Sequence, residues 1–211
     1  MENGKAKHFF TSEEQRRIET AVRAAEERTS GEIVPMVVDA ASDYARAEIV
    51  GGGLFALAIG VLISWYFGHS TVWIFLAVFL LLYFPCKLLV RHWPALKLRL
   101  LHPAEITVAV EEKCMVAFLE RGLHYTQDET GILILISLME RRVHILADRG
   151  INRLVPRSDW EEIVALVTDG IRRGDACSSL CEAIERCGDL LAESFPPRAV
   201  NRDELPNLIL D

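Results

Sequence analysis

From Val50 to Cys86 the chain carries no lysine, arginine, aspartate or glutamate, an uncharged run of 37 residues in a protein of 211. Basic side chains are also in short supply overall. The formal net charge of −7 argues against a dedicated nucleic-acid binder, which needs a concentrated basic face to neutralise phosphates. The start, Met1-Glu2-Asn3-Gly4-Lys5, lacks the apolar core of a signal peptide. Five cysteines (Cys86, Cys114, Cys177, Cys181 and Cys187) are an odd number at no metal-binding spacing, so free thiols in a reducing cytosol are expected. No nucleophile motif, Walker loop, metal-ligand histidine pair or internal repeat is present. Gly51-Gly52-Gly53 lacks the lysine of a phosphate loop. What the chain does have is 51% hydrophobic residues and 25% charged ones, which excludes wholesale disorder.

The uncharged run is nearly twice the roughly 20 residues that a helix needs to cross a bilayer core. It breaks naturally at Gly68-His69-Ser70-Thr71. Two transmembrane helices are predicted, Val50–Phe67 and Val72–Leu89, forming a hairpin over residues 50–89. A hairpin buried in a soluble core would keep a polar stripe, whereas these segments are apolar all round. Aromatic residues such as Trp65, Tyr66, Trp73 and Phe84 crowd toward the ends, as at membrane interfaces. Gly51, Gly52, Gly53 and Gly60 allow close helix approach. Lys87, Arg91, Lys97 and Arg99 follow the second span with no acid among them, and the connecting turn holds no basic residue. By the positive-inside rule both termini are cytoplasmic. The basic cluster is expected to face anionic headgroups.

Residues 8–44 and 104–195 are expected to complete one α/β domain around this insertion. Thr11-Ser12-Glu13-Glu14 is a capping box that opens a helix to about Arg28. Glu32–Val38 reads as a strand in which Pro35 favours an edge or bulge. After His102-Pro103, Ala104–Arg121 reads as a helix. Gly131–Leu138 is a continuous apolar run suited to a strand covered on both faces, and Arg142–Ala147 is a second strand close enough to be antiparallel to it. Ser158-Asp159-Trp160-Glu161 is a second capping box, starting a helix to about Arg173. A last helix spans Ala176–Ser194, and residues 196–211 show no period and are expected to form a mobile tail. One sheet with helices on both faces accounts for this order.

Several segments recur in a family order: Phe10–Glu14, then Thr29-Ser30-Gly31-Glu32-Ile33-Val34, then Thr130–Leu138, then Glu140–Ile151. Together they resemble the TPM domain family, in its bacterial branch with a transmembrane pair after the first strand. The resemblance implies an αβα sandwich. Members are variously described as thylakoid acid phosphatases, calcium-binding modules, and repair or assembly factors for membrane complexes. Two positions depart from the family pattern: Glu129-Thr130-Gly131 stands where "D-N-G" is expected, and Asn152 replaces an acidic residue. Each change weakens a cation site.

The strand geometry independently places Asp128 and Glu129 near Asp148, with Arg149 and the Gly150 turn alongside. Three carboxylates converging on one sheet end could hold calcium or magnesium, which prefer oxygen ligands. They could equally serve acid–base phosphate chemistry, with Arg149 binding the anion, or be solvated turn residues. His144 is expected to be a core or sheet-face residue. Glu140, Arg141 and Arg142 form a second patch at the opposite end of the strand pair. The reading that follows is an integral protein of a bacterial inner membrane whose cytoplasmic domain binds or assembles partners. A cation-dependent phosphomonoester hydrolase using Asp128, Glu129 and Asp148 is the first alternative. An accessory subunit of a membrane complex is the second. The bilayer is the one partner expected in every case.

Overall fold

The computed structural model describes residues 4–66, 72–126, 129–197 and 205–211. It divides into two compact units, one made of Met1–Ala41 and Ala109–Asp211, the other of Ser42–Val108.

The first unit is built on a four-stranded sheet of β1 (Glu32–Val38), β2 (Gly131–Ser137), β3 (Arg142–Ala147) and β4 (Ile209–Leu210), in the order β3-β2-β1-β4. β1 and β2 run parallel, from Glu32 opposite Gly131 to Val38 opposite Ser137. β3 returns antiparallel to β2, with Ile132 opposite Ala147. All seven residues of β1 and all seven of β2 are buried, as their unbroken apolar runs require. Alternation sends the two sides of each strand into different layers. Ile33, Val37, Ile132, Ile134 and Ile136 pack with α1 (Ser12–Glu26), α7 (Arg157–Arg173) and α8 (Ala176–Ser194). Val34, Met36, Val38, Leu133 and Leu135 pack against Val110, Cys114, Ala117 and Phe118 of α5 (Pro103–Glu120). The result is the expected helix–sheet–helix sandwich.

Local chemistry sets the ends of these elements. Thr11 caps α1: its hydroxyl accepts from the Glu14 N–H at 3.3 Å, and the Glu14 carboxylate accepts from the Thr11 N–H at 2.8 Å. These hydrogen bonds hold the Glu14 carboxyl below its ordinary pKa. Pro35 is not in an edge strand, since β1 lies between β2 and β4. The Ile33 N–H is taken by Glu26 Oε1 at 2.9 Å and the Val37 carbonyl accepts from the Asp211 N–H at 2.9 Å. The odd-numbered residues of β1 therefore direct their backbone groups away from β2. Pro35 belongs to that set and lies just ahead of the Met36–Ile209 pair where β4 begins, so it removes no donor from the central ladder.

Two further expectations are corrected. Ser158 does not cap α7. The helix starts at Arg157 behind Pro156, whose φ of −61° and ψ of 149° suit the cap position, and the Ser158 hydroxyl bonds instead to Asp159 Oδ1 at 3.0 Å. The end of the chain is not wholly irregular, because Ile209 and Leu210 pair with Met36 and Val37 as β4. Two strand residues behind a polar stretch are too few to produce a readable period.

The second unit consists of α2 (Ala45–Tyr66), α3 (Val72–His92), α4 (Pro94–Arg99) and the start of α5. α2 and α3, with mean hydropathy 2.0 and 2.3 over their apolar windows, are long and apolar enough to cross a membrane. Only 28% and 6% of those windows are buried. Both helices extend beyond the uncharged run, α2 backward to Ala45 and α3 forward to His92; the turn between them lies outside the described residues. A Cβ on Gly52 would come within 2.8 Å of the Lys87 backbone, so the pair closes where only glycine fits. Gly53, expected to share that role, faces open space.

Candidate functional site

At the N-terminal end of the β1–β2 pair, three chain segments meet. The Glu32 N–H donates to the Thr130 carbonyl at 3.2 Å, the Thr130 hydroxyl to the Ser30 carbonyl at 3.3 Å, and the Asp148 N–H to the Gly131 carbonyl at 2.9 Å. Close packing explains both glycines. A Cβ on Gly31 would lie 2.7 Å from Leu191 Cδ1, and one on Gly131 would lie 2.7 Å from the Leu123 carbonyl oxygen. The segments 29–32, 129–131 and 148–152, far apart in sequence, are thus one structural patch.

Asp128 lies outside the described residues. Glu129 is exposed and holds a left-handed φ of 56°, with its N–H on the Thr126 carbonyl at 3.2 Å. Asp148 is the N-cap of the short helix α6 (Arg149–Asn152), its Oδ1 accepting from the Arg149 N–H at 2.7 Å. Its other oxygen, Oδ2, is buried without a hydrogen-bond partner among the described residues. Arg149 is exposed. The Asn152 side-chain amide donates to the Ala147 carbonyl at 2.6 Å, tying the end of β3 to α6. Among the described residues no group of three or more His, Cys, Asp or Glu is placed to hold a metal ion.

Sequence reasoning passed over two carboxylates at this end, Glu26 and Glu32, which are 8% and 7% exposed. Glu26 secures the outer side of β1 through Ile33, and Glu32 sits opposite Gly131, whose carbonyl holds Asp148. The signal available was Glu32 itself, an acid opening a strand whose every other residue is apolar.

Other reactive groups are subdued by burial. All five cysteines are free thiols. Burial pushes Cys114 and Cys187 up to about 12 and Cys177 up to about 11, so little thiolate forms near neutrality. His144 lies on the edge strand β3 beside a cavity of about 550 Å³ that Glu111 and Trp160 also line. Burial holds its pKa below the ordinary value, with Glu111 opposing the shift. In the second unit, Lys97 is not free to meet headgroups. It is buried, with Nζ 2.7 Å from Glu48 Oε1 and 3.0 Å from the Asp43 carbonyl. Arg91 and Arg99 are exposed and Lys87 is half-buried.

A mixed four-stranded sheet between helical layers, with residues 29–32, 130–131 and 148 meeting at one end of the parallel pair, defines an α/β sandwich module. Residues 102–190 match the family model described as TPM domain. The match begins after β1, yet the structure sets Thr29–Glu32 against Thr130-Gly131, inside the same patch. The fold is similar to the NMR structure of the BA42 protein from the psychrophilic bacterium Bizionia argentinensis. The TM-score is 0.57 and the identity 22%, over 95% of this chain and 94% of that one. No curated protein matches the chain.

Proposed function

We propose that the protein is a membrane-anchored module whose TPM domain faces the cytoplasm of a bacterium and binds or assembles partners without efficient chemistry of its own. The observation that carries this reading is how the patch at the head of β2 is used. Asp148 Oδ1 caps a helix and the Asn152 amide ties a strand end. Both side chains serve the architecture, as a docking surface of fixed shape requires. The membrane part rests on the outward apolar surface of α2 and α3, and the orientation on Lys87, Arg91 and Arg99 following the second span. Purified protein given a phosphomonoester with calcium or magnesium is expected to turn over at the rate of buffer. Robust hydrolysis abolished by Asp148→Asn would defeat the proposal. Protease added outside intact cells is expected to leave both ends uncut.

One observation favours the hydrolase alternative, the buried Asp148 Oδ2 without a partner among the described residues. A divalent cation there would satisfy it. This alternative expects calcium or magnesium to raise the melting temperature, because a ligand that binds only the native state stabilises it. The accessory-subunit alternative draws on α3, where Trp73, Leu81 and Phe84 are 77%, 76% and 69% exposed. Such a surface suits other membrane spans as well as lipid. Co-purification of stoichiometric partners from mild detergent would favour it.

A further inference from the structure

β3 is the outermost strand on its side of the sheet, and among the described residues no strand pairs with its far edge. The Asp148 N–H donates to the Gly131 carbonyl at 2.9 Å, and in an antiparallel pair the bonded positions alternate. Arg142, His144, Leu146 and Asp148 therefore turn their backbone groups toward β2, whereas Val143, Ile145 and Ala147 turn theirs outward. The outward Ala147 carbonyl accepts the Asn152 amide at 2.6 Å and keeps a second lone pair.

Nothing in the backbone blunts this edge. No proline, glycine or lysine interrupts β3, and its register with β2 runs without a bulge; these are among the devices that keep open edges apart. A groove of about 550 Å³ follows the strand from Val143 to Ala147, with Trp160, Val164 and Thr168 of α7 in its wall. Val143 and Ile145 are half-buried there, although they pack on the core. The extended run also has a symmetry of its own. Asp148, with φ of −70° and ψ of 169°, continues β3 by one residue before α6, and Arg141, with φ of +53°, closes the other end. Residues 142–148 are thus extended, with Ile145 at the midpoint, a basic residue at one end and an acidic residue at the other.

We infer that β3 pairs antiparallel with β3 of a second copy of this chain, about a two-fold axis at Ile145. Pairing about that residue sets Ile145 opposite itself and Val143 opposite Ala147, so all three outward residues exchange backbone N–H···O bonds. It also sets Arg142 opposite Asp148 at each end, and opposite charges facing across strands stabilise a pair. An axis at Val143 or at Ala147 would use fewer outward residues, and would put Arg142 opposite His144 or Asp148 opposite Leu146. A foreign strand would meet the same backbone groups; the matched charges at both ends single out a second copy. The inference goes beyond the function proposed above, since self-pairing depends on neither the membrane reading nor the absence of hydrolysis.

The test is the mass of the full chain in neutral detergent micelles, by light scattering corrected for detergent across a concentration series. A monomer–dimer equilibrium is expected. Arg142→Glu sets acid against acid at both ends, and Asp148→Lys sets base against base. Each is expected to raise the dissociation constant about tenfold or more. Mixing the two variants is expected to restore the parent value, because each end of the mixed dimer regains an opposite pair. Asp148 caps α6, so a second arm leaves it intact. In the inferred register residue 144 of one copy faces residue 146 of the other at about 4.5 Å between Cα atoms, within disulfide reach. His144→Cys combined with Leu146→Cys is expected to give a covalent dimer on a non-reducing gel after mild oxidation, and His144→Cys alone to give none. A monomer at every concentration, a dimer that Arg142→Glu does not weaken, or a double-cysteine variant that stays unlinked overturns the inference. A dimer held together by the hairpin would give the second of these results.

Discussion

In the α/β unit the large aliphatic side chains of β1 and β2 are buried and, Glu26, Glu32 and Glu140 apart, the charges lie outside or part-buried. In the hairpin unit Trp65, Trp73 and Leu81 are 83%, 77% and 76% exposed, while Gly51, Gly52, Ala56 and Gly60 are buried. The buried Lys97 pairs with the partly buried Glu48 in the hairpin unit. The first arrangement is what water selects, because removing apolar area from it is the main stabilising term. The second is what hydrocarbon selects, where apolar surface is indifferent and close backbone approach and satisfied polar groups hold helices together. On the membrane-anchored reading proposed above, the contrast is that of two solvents acting on one chain.

That contrast can be broken or sharpened by mutation. Lys97→Met should have the largest effect, about 3–5 kcal/mol, because it leaves the Glu48 carboxylate partly buried and unpaired. Thermal unfolding in micelles would measure it, and adding Glu48→Leu should restore most of the loss. Next comes Ile134→Ala, expected to cost the α/β unit about 2–5 kcal/mol in denaturant through lost burial and a residual cavity. The matching truncation Leu81→Ala, at an outward position, should barely move the unfolding of the hairpin. An equal cost at both sites would mean that α3 is covered by protein. Gly52→Leu should open the helix pair at about 1–3 kcal/mol, the usual cost of overpacking, while Gly53→Leu should be tolerated. Crosslinking of engineered cysteines across α2 and α3 would separate them.

The smallest expected effect is on pH dependence. His144 has a pKa held below its ordinary 6.5 by burial, so the unfolded chain takes up the proton first as pH falls. Stability from this group is therefore intact above about 6.5 and declines below it, until the folded-state pKa is reached. His144→Phe should flatten that part of the stability–pH curve, measured by denaturation between pH 7.5 and pH 5, a range set by the ordinary histidine value.

The boundaries of β1, β3 and α8 and the layer order were legible because they follow from apolar runs and periods. What escaped was decided at a distance. Lys97 looked like a headgroup contact because Glu48, its partner, is on another helix. Asp148 looked like a free ligand because a four-residue helix leaves no period to announce its cap. Arg141 could not be flagged, since arginine is not a residue expected at positive φ. β4 depends on β1 for its existence and has no signature of its own.

The central strand β1 has its two neighbours, β2 and β4, on segments that the ribosome makes only after the whole hairpin has been synthesised. During that interval an apolar strand has both edges open, the condition that invites wrong pairing between nascent chains. Residues 39–130 must be spanned before the parallel ladder can close, so maturation is slow for its size. Holdase demand and translation pace should consequently govern yield more strongly than the stability of the finished protein.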